Sequence, residues 1–215
     1  MCLWCRSVSR KRHVAAVLRT MLAPEARSAA AAVREARARV HSCASGDALA
    51  RSLAGCETFT SSELVPGVAP GTAIGVRTSC QDLESLTFED GSIDVLVTED
   101  VLEHVRNPAR AFGEIARVLK QGAHHVFTVP FLFDRQTITR VDTSGDEDVH
   151  LLPPEYHGDP VRGEILAYRT YGYDLFEVLA DAGLPTHVHL AGRADLRSGI
   201  VDSSVFVSTN VGPRP

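Results

Sequence analysis

The spacing of apolar residues along the chain changes several times, and the changes mark out its elements. The first forty residues read as helical, with an alanine-rich stretch over residues 24–40 in which Pro24 suits the first turn of a helix. From His41 onward strand-like and helix-like runs alternate, the pattern of βαβ units around a parallel sheet. Residues 40–44 read as a first strand, leading through Ser45, Gly46 and Asp47 into a helix that carries Leu49 and Leu53. A second strand fits residues 56–61 and ends at Glu63, and a third fits residues 72–77, followed by Asp82. The clearest element is residues 93–98, a continuous apolar run (IDVLVT) after the turn Glu89-Asp90-Gly91-Ser92, as expected of a strand buried on both faces. Asn107-Pro108 opens a helix with Phe112, Ile115, Ala116 and Leu119 on one face, and Gly122 is expected to stop it. Residues 124–130 read as a fifth strand, and residues 131–170 as a long irregular insert, a length that usually carries function or structure of its own. A further helix carries Leu175, Val178, Leu179 and Ala182, and residues 186–190 and 204–208 close the chain as two strands in an antiparallel terminal hairpin.

The expectation is an α/β domain over residues 38–215 behind a helical N-terminal arm, residues 1–37. A chain of 215 residues suits one such domain with a short appendage. Its 44% hydrophobic and 23% charged content is ordinary for a globular protein. No run of about eighteen apolar residues is present, and no apolar segment after the basic N-terminus resembles a signal peptide, so a cytoplasmic setting without membrane association is expected. The five cysteines are too scattered for a disulfide framework. Cys2 and Cys5 supply half a tetrahedral zinc site, with His13 as a third donor at most, so no complete metal-ligand set is expected.

Charge is uneven. Residues 1–40 hold nine Arg/Lys against two Asp/Glu, a balance of +7, and the remainder holds thirteen against twenty-five, or −12, for the net −5. The positive arm reads either as a contact for an acidic partner such as nucleic acid or as a solvated helix, and the acidic body argues against a broad nucleic-acid face. The arm is also open to covering the ligand pocket or joining two copies in a homodimer.

Residues 81–130, QDLESLTFEDGSIDVLVTEDVLEHVRNPARAFGEIARVLKQGAHHVFTVP, resemble the central block of the type-11-like class I S-adenosylmethionine (SAM)-dependent methyltransferases. An Asp-Leu precedes an acidic Gly-Ser turn and strand; an Glu-His-Val segment, a helix ending Val-Leu-Lys and a strand ending Val-Pro follow in that family's order. The segments GVRTSCQDLESLTF, HLLPPEYHGDP and CLWCRSVSRKRHVAAVL narrow the likeness to a bacterial subgroup that often begins with a Cys-x-x-Cys segment. The resemblance implies a Rossmann-like seven-stranded class I methyltransferase fold over about residues 38–210 and SAM as cofactor.

It also implies roles for particular residues. Ser45 and Gly46 occupy the first strand-to-helix turn, where glycine allows close approach, although Gly46 alone stands for the family's glycine-rich run. Glu63 matches the acid that accepts from the ribose hydroxyls, with an ordinary loop acid as the alternative. Asp82 matches the acceptor of the adenine amino hydrogen, beside Leu83, with a helix N-cap as the alternative. Glu99 and Asp100 would face the methionyl end and the sulfonium. His104 is a candidate base or a structural histidine, and Tyr156 and His157, with His150 and Asp159, are candidates on the acceptor side. Methyl transfer is an in-line displacement that needs alignment more than a dedicated base. The expected activity is methyl transfer from SAM to a small molecule. An RNA or protein methyltransferase, and a non-catalytic relative, are the alternatives.

Overall fold

A computed structural model describes residues 7–159, 161–192, 195 and 198–212. Cys2 and Cys5, the expected half-site for zinc, lie outside the described residues. The chain opens with α1 (Ser9–Leu22), α2 (Ala29–Ala36), β1 (Val40–Ser42), α3 (Ala48–Leu53) and β2 (Phe59–Glu63). β3 (Ala73–Gly75), β4 (Thr78–Cys80) and β5 (Ile93–Glu99) follow, then a single 3-10 turn over Leu102–His104, α4 (Pro108–Val118) and β6 (Leu119–Thr128). The insert resolves into short strands: β7 (Phe131–Leu132), β8 (Ile138–Thr139), β9 (Val141–Asp142), β10 (Val149–His150), β11 (Tyr156–Asp159), β12 (Gly163–Leu166) and β13 (Arg169–Gly172). α5 (Leu175–Asp181), β14 (Thr186–Ala191) and β15 (Ser203–Thr209) complete it.

The main sheet has the order β14-β15-β6-β5-β1-β2-β4-β3. Pairing is parallel from β4 through β2, β1 and β5 to β6, and antiparallel where β15 joins β6 and β14 joins β15. β5 therefore sits at the centre, as its unbroken apolar run requires. Alternation along it serves both faces. Val95 and Val97 pack with Val14, Val17 and Leu18 of α1 and Leu49 and Leu53 of α3. Leu96 packs on the other face with Phe112 and Ile115 of α4, Leu179 of α5, Phe127 and Phe206. α1 thus shares a core with the sheet. Two histidines are buried in the strands: His41 meets the hydroxyls of Thr60 and Ser62 at 2.8 and 2.9 Å, and His125 that of Thr98 at 2.9 Å. Burial pushes both down to about 3, so they stay neutral.

Three local expectations need correction. The expected third strand, residues 72–77, splits. β4 makes the parallel pairing with β2, and exposed β3 folds back on β4 as an antiparallel edge, through a turn in which Arg77 takes φ +55°. The buried anchor is Cys80, beyond the apolar run that suggested a strand. The second strand begins at Phe59, because Cys56 closes the turn after α3 by donating its N–H to the Leu53 carbonyl at 2.8 Å. Gly122 does not stop α4, which ends at Val118; with φ +78° it lies inside β6, where the register against β5 shifts between Ile93 and Val95.

Candidate functional site

Beyond the C-terminal ends of β1, β2, β4 and β5 lies a cavity of about 1100 Å³, the place where open α/β sheets gather ligands. The turn between β1 and α3 forms its floor. Asp47 caps α3, its Oδ1 accepting from the Ala50 N–H at 2.7 Å. A Cβ added at Gly46 would meet nothing within 4 Å, so the chain there leaves open space beside the backbone. The Ser45 N–H and hydroxyl both donate to Glu63 Oε1, at 2.7 and 2.8 Å. Oε2 of Glu63 takes no part in either bond, so Glu63 fixes the turn with one oxygen and keeps another acceptor.

Asp82 and Leu83 follow β4 and line the same cavity. The alternative expected for Asp82, a helix N-cap, is replaced by a turn: its Oδ1 accepts from the Glu84 N–H at 2.9 Å, and Asp82 bridges to Ser85. Leu83 is buried and joins the hydrophobic core beneath the wall.

Glu99 ends β5 with its side chain only 2% exposed and neither carboxylate oxygen hydrogen-bonded. Its counter-charge is the Lys11 ammonium of α1 at 3.3 Å, which also bonds Asp47. Burial pushes Glu99 up to about 7; Lys11 opposes that shift and Asp47 adds to it. Burial would lower Lys11, but Glu99 and Asp47 together hold it above its ordinary range. Asp100 adopts φ +53°, a left-handed conformation costly for a residue with a side chain. It is held there by its N–H to the Thr128 carbonyl, by the Thr128 hydroxyl to Oδ1 (both 2.9 Å), and by an ion pair from Oδ2 to Arg10 at 2.6 Å.

The turn after β5 brings Glu103, His104 and His157 together at the cavity wall. Glu103 is fully buried, neither of its oxygens is hydrogen-bonded, and burial pushes its carboxyl up to about 8. His104 donates Nδ1–H to the Leu166 carbonyl at 2.8 Å, which leaves its Nε2 as an acceptor. His157 Nδ1 lies 3.2 Å from that Nε2, and its Nε2 lies 3.2 Å from Glu155 Oε1. The insert is strapped to this turn by the Tyr168 N–H to the Glu103 carbonyl at 2.9 Å and the Tyr171 hydroxyl to the Leu102 carbonyl at 3.1 Å.

Of the residues singled out in the sequence, Ser45, Gly46, Glu63, Asp82, Leu83, Glu99, Asp100, His104, His157 and Asp159 line the cavity. Tyr156 does not: it precedes His157 on β11, so the alternation of a strand turns it outward, and it is 56% exposed. His150 is exposed on β10, and His13 is buried in α1 against the Ser203 hydroxyl at 3.2 Å. Arg10 and Lys11 were missed as wall residues. The signal for them was the +7 balance of the first forty residues, within which Lys11 is one of only two lysines in the chain.

A parallel sheet with a reversed terminal hairpin, and carboxylates at the ends of successive strands around one cavity, is the layout of a class I SAM-dependent methyltransferase. Residues 29–127, a little under half of the chain, match the family model described as a methyltransferase domain. The fold is similar to 1,6-didemethyltoxoflavin-N1-methyltransferase of Burkholderia thailandensis, at TM-score 0.53 and 15% identity over 98% of this chain and 81% of that one. That structure holds 1,6-didemethyltoxoflavin and S-adenosylhomocysteine. It is also similar to a SAM-dependent methyltransferase of Mesorhizobium loti, at TM-score 0.50 and 18% identity over 80% of this chain and 90% of that one. A further relative is the uncharacterized 37.1 kDa protein in transposon TN4556 of Streptomyces fradiae, 44% identical over 55 residues. That match covers 26% of this chain and 16% of the relative. Among the described residues no helix is long and apolar enough to cross a membrane.

Proposed function

We propose that the protein transfers the methyl group of SAM to a small-molecule acceptor. One observation carries the reading: Glu63, Asp82, Glu99 and Asp100, from the ends of β2, β4 and β5, line one cavity of about 1100 Å³, somewhat above the usual range for small-molecule pockets. The residues fit the cofactor. Glu63 Oε2 would accept from the ribose hydroxyls, Asp82 from the adenine amino group, and the open space at Gly46 admits the backbone approach a nucleoside needs. Buried Glu99, met by Lys11 at 3.3 Å through Oε2, keeps an Oε1 without a hydrogen-bond partner that would favour the cationic end. When bound, SAM supplies an activated methyl group on a sulfonium.

What the chain contributes is alignment and exclusion of water. Glu63 ties the Ser45 turn to β2, so the cavity floor and the ribose acceptor form one rigid unit. Asp100, held by Thr128 and Arg10, fixes the path from β5 into the wall. α1, through Arg10 and Lys11, and the β11–β12 hairpin, through His157, Asp159 and Ile165, add further walls. A cavity walled in this way suits an acceptor of modest size, and the acidic body supports a partner other than nucleic acid. The small-molecule acceptor of the Burkholderia enzyme agrees with this reading. A cytoplasmic setting fits the same view.

Tritiated SAM offered with separated metabolite, RNA and protein fractions tests the acceptor class. Label should pass to the metabolite fraction; label confined to RNA or protein would overturn the small-molecule reading.

A further inference from the structure

The cluster of Glu103, His104 and His157 has the donor set and spacing of a metal site. The three side chains converge within 4.8 Å. His104 Nε2 lies 3.7 Å from Glu103 Oε1, His157 Nδ1 lies 3.8 Å from that oxygen, and the two nitrogens are 3.2 Å apart. The centre of the circle through three atoms so spaced lies about 2.1 Å from each, the length of zinc–nitrogen and zinc–oxygen bonds; an ion out of that plane, as tetrahedral binding requires, draws the three atoms a few tenths of an ångström closer together.

Two further observations point to a ligand. Glu103 is fully buried and neither of its oxygens has a hydrogen-bond partner, an unsatisfied polar group that a bound cation would meet. His104 donates Nδ1–H to the Leu166 carbonyl, the outer contact that fixes an imidazole in the tautomer with Nε2 unprotonated; without an ion that Nε2 accepts from His157 Nδ1–H at 3.2 Å, a proton the ion would displace. Two imidazoles and one carboxylate suit a divalent transition ion better than Mg²⁺ or Ca²⁺, which prefer oxygen.

We propose that Glu103, His104 and His157 bind one divalent transition-metal ion of the zinc class, with its remaining coordination positions open to the cavity. Three protein ligands and an open position are the arrangement of a catalytic rather than a structural site. The ion would sit in the cavity that also contains Glu99 and Asp100, placed to hold an oxygen or nitrogen of the acceptor. This role rests on the methyl-transfer reading; the binding of the ion does not.

The test is a calorimetric titration of ZnCl2 into the untagged 215-residue chain carrying Cys2→Ser and Cys5→Ser, so that those thiols contribute nothing. Co²⁺ absorption is recorded in parallel as a report of nitrogen and oxygen ligation. One ion per chain is expected, with affinity lowered at least about 100-fold by His157→Ala, at a half-buried position, and lowered again by Glu103→Gln. His187 and His189, 3.1 Å apart on exposed β14, form another imidazole pair. Replacing His187 with Ala should leave binding unchanged. No binding in the Cys2→Ser, Cys5→Ser chain, or equal binding after His157→Ala, overturns the site, as does loss on His187→Ala. S-adenosylhomocysteine affinity on the same samples separates the two readings: its retention without zinc binding sinks the metal site alone, and zinc binding without it sinks the cofactor reading alone.

Discussion

At the scale of single residues, the site is a set of acids held under different constraints. Glu63 and Asp82 keep part of their hydrogen-bonding capacity, whereas Glu99 is almost sealed from water beside Lys11. The folded value of Glu99, about 7, lies above the ordinary 4.5 of a carboxyl. Protonation of Glu99 therefore favours the fold. Its contribution is fully present below about pH 4.5 and is lost as pH rises through 7. The Glu99→Gln variant carries no such cost. Its stability relative to wild type should rise between pH 5 and pH 8, by on the order of 2–3 kcal/mol. Thermal unfolding at several pH values measures this, and a difference that stays flat over that range would show that the Glu99 carboxyl is not raised in the folded chain. The identity of these acids was legible in the sequence because each follows a strand. The Lys11 partnership was not, since 88 residues separate it from Glu99 and only the packing of α1 on the sheet joins them.

At the scale of elements, legibility followed hydrophobic pattern. β5 announced itself through an unbroken apolar run, and α4 through Asn107-Pro108, whose side chain and ring do make the cap and first turn. β3 and β4 were read as one strand because the turn at Arg77 has no glycine to mark it, and the strands of the insert are two to four residues long, too short for any period to show. Yet the insert is packed tightly where β7, β13 and β8 meet. A Cβ at Gly172 would stand 2.2 Å from the Arg135 carbonyl oxygen and 2.3 Å from the Gln136 carbonyl carbon, both backbone atoms. Gly172→Ala should therefore force these strands apart and cost about 1–3 kcal/mol, visible as a lower melting temperature. An unchanged melting temperature would mean that the insert is not held by this contact. The same absence of periodicity hid the convergence of His104 and His157, 53 residues apart, which depends on β12 being bonded to the turn after β5.

At the scale of the whole molecule, the N-terminal helices and the sheet share one core. Leu18 of α1 is fully buried with Val95, Val126 and Val207. Leu18→Ala should destabilise the whole domain by about 2–5 kcal/mol in a single transition; a separate early transition, with the main one unmoved, would show α1 to be an independent arm. The order of strands and helices was legible because their signals alternate, and so was the edge of the sheet at which the cavity opens, since the acids that line it follow strands. The cavity's walls were not, because α1 and the β11–β12 hairpin reach it from opposite ends of the sequence. The central claim is that this cavity holds SAM over the end of β2. Calorimetric titration of S-adenosylhomocysteine into the intact chain, Glu63→Gln and Glu57→Gln tests it most directly, because both substitutions remove one charge and only Glu63 lines the cavity. The account predicts one site per chain, a loss of about 10- to 150-fold at Glu63 from removing a charged acceptor, and little change at exposed Glu57. Equal losses at both positions, or no measurable binding by the unaltered chain, would contradict it.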